Sequence, residues 1–160
     1  GGSMSELFQW SDEFSVALQE VDEQHKALVG MLNELHEAIH QHKGSDASRD
    51  ILWRLAEYTR IHFTVEESLM RLLNYPEFEG HKQQHESLMT QVADLQQKLT
   101  TGQAKITFEL LHFLKAWLTH HISENDKQFG AYAISRGLES NWSKDVEKTM
   151  TKKRWSWKFW

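Results

Sequence analysis

The chain has 160 residues, 10 histidines, a single proline, no cysteine and a formal net charge of −5. Without cysteine there are no disulfides, thiolate metal sites or thiol nucleophiles. The acidic balance lacks the basic footprint of a nucleic-acid-binding domain, so no nucleic acid is expected as a partner.

The length suits one domain with its own core. No apolar run is long enough to span a bilayer. No signal peptide opens the chain, which makes a cytoplasmic location the default expectation. Gly1-Gly2-Ser3 ahead of Met4 reads as a cloning remnant, leaving residues 4–140 as the expected domain.

Residues 5–20 hold Phe8, Trp10, Phe14, Val16 and Leu18 without helical spacing, and are expected to form an extended arm over the rest. Asp22 offers an N-cap for the first helix. Val21, His25, Leu28, Leu32, Leu35 and Ile39 then recur at three- and four-residue steps, one face of a helix. Gly44-Ser45-Asp46 breaks that pattern. The second helix is expected from about Ser48 to Asn74, with Leu52, Leu55, Thr59, His62, Glu66, Leu69 and Leu73 on its apolar face; Tyr75-Pro76 ends it.

The third stripe is Phe78, His81, His85, Leu88, Val92, Leu95 and Leu99, ended by Thr100-Thr101-Gly102. The fourth helix starts near Ile106 and carries Leu110, Leu114, Trp117, Leu118, His121, Ile122 and Asp126, up to a break at Ser135-Arg136-Gly137. Four amphipathic helices joined by short loops predict an all-α fold, an up-down-up-down antiparallel four-helix bundle with an N-terminal extended arm and a C-terminal tail.

Every stripe carries side chains that bind metals. The first has His25, the second His62 and Glu66, the third His81 and His85, the fourth His121 and Asp126. Buried imidazoles and carboxylates without partners are costly, so a metal or a dense polar network must satisfy them. Bundle cores build metal sites in this way, from inward side chains on facing helices. Five histidines and two carboxylates are too many for one ion of ordinary coordination. Two ions bridged by both carboxylates and one solvent oxygen would use all seven, with the histidines divided three and two. The ion with two histidines would then keep an open position.

Nitrogen and oxygen ligands without sulfur suit iron, manganese, zinc or copper. One spacing fits poorly: His121 and Asp126 are five apart, about 140° around an ideal α-helix. Either the site sits between two stripes or the helix carries a π-bulge there.

Asp-Glu-Gln-His25, His62-Phe-Thr-Val-Glu66-Glu, Tyr-Pro-Glu-Phe-Glu-Gly-His81-Lys-Gln-Gln-His85 and Trp117-Leu-Thr-His-His121-Ile-Ser-Glu-Asn-Asp126 together resemble the hemerythrin family, specifically bacteriohemerythrins, over roughly residues 8–132. The resemblance implies a non-haem di-iron centre that binds O₂ reversibly. It implies that His81, His85 and His121 hold one iron, that His25 and His62 hold the other, and that Glu66 and Asp126 bridge with an oxo or hydroxo group. By the same matching, Leu28, Phe63, Trp117, Leu118, Ile122 and Phe129 are expected to wall the O₂ pocket.

Other features compete. His36-Glu37-Ala38-Ile39-His40 spells the zinc-protease motif H-E-x-x-H, but the stripe position there is Ile39, which leaves both histidines toward solvent. His40 and His42 read as a solvated helix end, and His112 and His120 as surface groups. Residues 141–160 form a basic, Trp-rich tail holding four of the 7 tryptophans, with a membrane surface or a protein partner as its candidate contacts. The leading functional expectation is an oxygen carrier, store or sensor without turnover. The alternative is a di-iron oxidase, peroxidase or nitric-oxide-handling enzyme; ferritin-like oxidases take four glutamates and two histidines, whereas this set is rich in histidine.

Overall fold

The structure, a computed structural model, describes residues 7–138. Residues 1–3, read above as a cloning remnant, and the tail over 141–160 lie outside the described residues. Four antiparallel helical columns form the bundle: α1 (Gln19–His40), α2 (Ser45–Leu72), α3 (Phe78–Thr100) and a fourth column of α4 (Phe108–His120), a π-turn (His121–Asp126) and α5 (Lys127–Ser135). α1 packs on α2 and α4, and α2 packs on α3. Among the described residues, no helix is long and apolar enough to cross a membrane.

The apolar stripes become two clusters that share Leu118 and lie along the bundle axis. One holds Leu28, Leu32, Leu35, Leu52, Leu55 and Leu111; the other holds Leu18, Val21, Met70, Ile122, Phe129 and Ala133. Leu111 is fully buried, a position the stripe of Leu110 and Leu114 did not single out.

The N-terminal segment does lie over the bundle. Phe8 N–H donates to Asn33 Oδ1 (2.9 Å), and Asn33 Nδ2 returns a bond to Phe8 O (2.8 Å), so one α1 side chain replaces a backbone partner for the arm. Phe8, Val16 and Leu18 are buried, and a short 3₁₀ turn at Asp12–Phe14 interrupts the extended course.

Several helix ends differ from the sequence expectation. α1 begins at Gln19 with Leu18 as its N-cap, so Asp22 sits inside the first turn. Its carboxylate is used by the arm instead: Ser15 Oγ donates to it at 2.6 Å and Val16 N–H at 2.8 Å. α2 starts at Ser45, because the chain is broken before it, by His42 at φ 53° and Gly44 at φ 98°. It ends at Leu72, two residues before Asn74. α4 starts at Phe108, where the Thr107 hydroxyl accepts from Leu110 N–H (3.2 Å). The arm is fitted tightly to α5. A Cβ on Gly130 would come within 2.0 Å of the Val16 carbonyl oxygen, which only a glycine permits.

Candidate metal centre

His62 and Glu66 in α2, and His81 and His85 in α3, stand one α-turn apart and share a face. His121 and Asp126 reach a common face by another route. The helix switches to i→i+5 bonding over His121–Asp126, which places residues five apart above one another. Of the two alternatives the spacing left open, the π-turn is the one realised.

All seven side chains are at least 96% removed from solvent, and His25 is wholly so. Their ligating atoms form two overlapping groups. One comprises Glu66, His81, His85, His121 and Asp126; the other comprises His25, His62, Glu66 and Asp126. Each carboxylate divides its oxygens between them. Glu66 Oε1 lies 2.7 Å from His81 Nε2 and 3.5 Å from His85 Nε2, while Oε2 lies 3.3 Å from His62 Nε2. Asp126 Oδ1 lies 3.0 Å from His81 Nε2 and 3.1 Å from His121 Nε2, while Oδ2 lies 3.0 Å from His25 Nε2.

These separations are within ion-pair range, yet they do not satisfy the buried atoms as hydrogen bonds. His25 Nε2, His81 Nε2 and all four carboxylate oxygens have no hydrogen-bond partner, and neither has the other ring nitrogen of His25, Nδ1. The atoms aim at shared points rather than at each other. Three of the outer nitrogens say the same. His62 Nδ1 donates to Gln24 Oε1 (2.5 Å), His85 Nδ1 to the Glu67 carboxylate (3.0 Å), and His121 Nδ1 to Gln84 Oε1 (3.1 Å). A proton on Nδ1 leaves Nε2 as a bare lone pair. His85 Nε2 and His121 Nε2 then face one another at 2.9 Å, two lone pairs that repel unless a cation lies between them. Ligands about 2.1 Å from one ion and at right angles would be roughly 3.0 Å apart, close to the spacings seen.

Protonation follows the same electrostatics. Burial pulls His81 down, but the Asp126 and Glu66 carboxylates overturn that and push it up to about 9. Burial pushes His85 down to about 3, helped by His121 and His81 and opposed by Glu66. Burial works to raise Asp126, yet His121, His25 and His81 hold it well below the usual carboxylate range. Glu66 is also lowered by His62 and His81, against burial and the charge of Asp126.

Aromatic rings close one side. Phe63 stacks on His85 with centroids 3.7 Å apart, and Trp117 stacks on His121 at 4.5 Å. Behind them lies an apolar cavity of about 50 Å³, lined by Leu28, Leu32, Leu55, Phe63, Trp117 and Leu118 among others. Ile122 and Phe129 do not line it; they are buried in the other cluster, Phe129 against Tyr75. His36 is half-buried, and His40, His112 and His120 are exposed, all outside the two groups.

Sequence reading missed Gln24, Glu67 and Gln84. Each is the immediate chain neighbour of one of the seven, which was the available signal.

The family model for the hemerythrin HHE cation-binding domain matches residues 16–133, most of the chain. The chain belongs to the hemerythrin family. It is similar to the bacteriohemerythrin of Methylococcus capsulatus, 34% identical over 125 residues that cover 78% of this chain and 95% of that protein. A hemerythrin-like protein of Naegleria gruberi is 30% identical over 76% of this chain and 90% of its own. A solved wild-type hemerythrin superposes with a TM-score of 0.75 at 32% identity, covering 78% of this chain and 96% of that one. As a hemerythrin-family protein it is a cation-binding helical bundle, and its buried histidine–carboxylate cluster is the metal-site cluster.

Proposed function

We propose that this protein binds O₂ reversibly at a pair of iron ions held by His25, His62, Glu66, His81, His85, His121 and Asp126, as a carrier, store or sensor rather than an enzyme. The observation that carries the reading is the division of the carboxylates. Each offers one oxygen to a group of three histidines and the other to a group of two, so the smaller group is short of a ligand. A ferrous pair supplies the two electrons that O₂ takes up on binding and gives back on release.

The chain's own residues do the rest. Glu66 and Asp126 hold the two positions at a fixed separation. Gln24, Glu67 and Gln84 keep three imidazoles turned so that Nε2 points inward. Leu28, Phe63, Trp117 and Leu118 keep water from the approach; a dry wall disfavours the escape of charged reduced oxygen. We place Ile122 and Phe129 in the packing that supports this wall, not on its face. The cavity of about 50 Å³ has room for a diatomic. Reductive nitric-oxide or peroxide chemistry is the competing reading.

Anaerobic iron loading, then O₂, then vacuum, with absorption spectra throughout, tests the proposal. The expected result is about two irons per chain and a coloured state that forms with O₂ and bleaches as the pressure falls. Steady O₂ consumption with a reductant and no reversible coloured state at any pressure would overturn it.

A further inference from the structure

Three sides of the bundle are closed and the fourth is open. α1 packs on α2 and α4, and α2 packs on α3, but α3 and α4 barely touch. α4 is left with more apolar side chain than the bundle covers. Of its 13 residues only Leu111 is buried, while Phe108 and Phe113 are each 42% exposed. Along the open side runs a groove of about 260 Å³, lined by Gln91, Val92 and Leu95 of α3 and by Leu110, Phe113 and Leu114 of α4. Val92, Leu110 and Phe113 belong to neither core cluster. Val92 and Leu114 also wall the small cavity behind the metal cluster, so whatever fills the groove shields that wall from water.

The chain carries an occupant of the right chemistry. α5 closes with a left-handed residue. Gly137 has φ 91°, its N–H donates to Ile134 O, and Leu138 N–H donates to Ala133 O, both at 3.0 Å. Leu138 packs on the second core cluster, so residues 139–160 set out from the bundle surface beside the fourth column. Trp142, Val146 and Met150 lie four apart, one face of a helix. Trp155, Trp157 and Phe159 alternate, one face of an extended segment.

The length fits. From Ser135 back to Phe113 is about 33 Å along the fourth column. A helix over 139–154 would cover about 24 Å of it, and six extended residues would add about 20 Å. The charge fits as well. Residues 139–160 hold six cations and three carboxylates, against 12 and 20 in the rest of the chain. Glu109 and Asp94, both exposed, adjoin the groove residues Leu110 and Leu95.

We propose that residues 139–160 fold back along the fourth column and seat Trp155, Trp157 and Phe159 in the α3–α4 groove of their own chain. Lys152, Lys153, Arg154 and Lys158 then meet the acidic surface around it. A short tether holds such a segment at an effective concentration on the order of millimolar, so the chain's own tail outcompetes a second copy present at micromolar levels. The inference needs neither the metals nor the O₂ reading.

The absence of cysteine makes the test direct. Ser87→Cys, exposed on α3 a turn before Gln91, and Ser156→Cys in the tail would carry the only two nitroxide labels of the full chain. Pulsed dipolar electron spin resonance is expected to read one narrow distance below about 30 Å. The peak should survive dilution with excess unlabelled chain. Phe113→Glu should abolish it, with helical circular dichroism and metal content unchanged. Trp157→Ser with Phe159→Ser should abolish it too, and serves if Phe113→Glu folds poorly. A distribution spread over tens of ångströms, as for a free flexible segment, would overturn the proposal. So would a peak lost on dilution, which puts the tail in a second copy's groove, or one that appears only with anionic vesicles, which puts it on a membrane. A narrow peak that persists in the substituted chains would put the tail elsewhere on the bundle and overturn it equally.

Discussion

At the scale of single residues, the centre depends on groups that touch no ion. His62, His85 and His121 each donate Nδ1–H to an oxygen of Gln24, Glu67 or Gln84. That bond chooses the tautomer and stops the ring from turning. Gln24→Ala removes the acceptor from His62 while leaving every one of the seven candidate ligands in place. Cation affinity should fall about 10–100-fold, measured by competition with a chromophoric chelator, with helical content unchanged. Unaltered affinity would show that packing alone orients His62.

At the scale of elements, the π-turn decides whether the fourth helix can take part. A regular α-helix would turn Asp126 about 140° away from His121. Six residues of i→i+5 bonding absorb one extra residue without disturbing the registers of α4 and α5. Deleting Ser123 should therefore return the segment to an ordinary α-helix, with the histidine and aspartate now four apart on one face. Two cations per chain should still bind. Deleting Thr64 from α2 is a contrasting case, because α2 has no extra residue to lose. It brings His62 and Glu66 three apart and rotates the rest of the helix by about 100°, and metal content should fall below one per chain. If both deletions lost metal equally, the π geometry itself would be required.

At the scale of the whole molecule, stability and the cluster are coupled. In the metal-free protein His81 is raised to about 9, above its ordinary value of 6.5. Its stabilising effect is complete below 6.5 and disappears as pH rises through about 9. His85 is lowered to about 3, so it contributes nothing adverse above 6.5 and destabilises progressively as pH falls below that. The two histidines have opposite signs, and metal-free stability should peak near pH 6.5. Cations displace the His81 proton, so loading should flatten the alkaline decline. Urea denaturation across pH, with and without metal, checks this; an alkaline limb of equal steepness in both forms would contradict it. The seven candidate ligands also lie well inside the described residues, between 25 and 126. Removing residues 141–160 should leave about two irons per chain by metal analysis. Loss of iron would make the tail part of the folded core.

The bundle was legible because three- and four-residue spacing of apolar side chains is a local signal with one interpretation. The buried histidine–carboxylate cluster was legible for a related reason: His25, His62, Glu66, His81, His85, His121 and Asp126 interrupt those stripes with groups that water would otherwise hold. Helix ends were less legible. Asp22 has the chemistry of a cap, but Ser15 and Val16 of the folded arm claim its carboxylate, and no local pattern announces that contact. The spacing of His121 and Asp126 exposed a conflict without resolving it. The backbone took the π register where two side chains had to meet partners on other helices. Leu28, Phe63, Trp117 and Leu118 line the small cavity while Ile122 and Phe129 do not, because a void is set by how helices pack against one another. The chain alone determined which faces are buried and which polar groups go in with them. Tertiary structure decided where each helix stops, which oxygen serves which imidazole, and where space remains, since those depend on contacts between residues far apart in sequence.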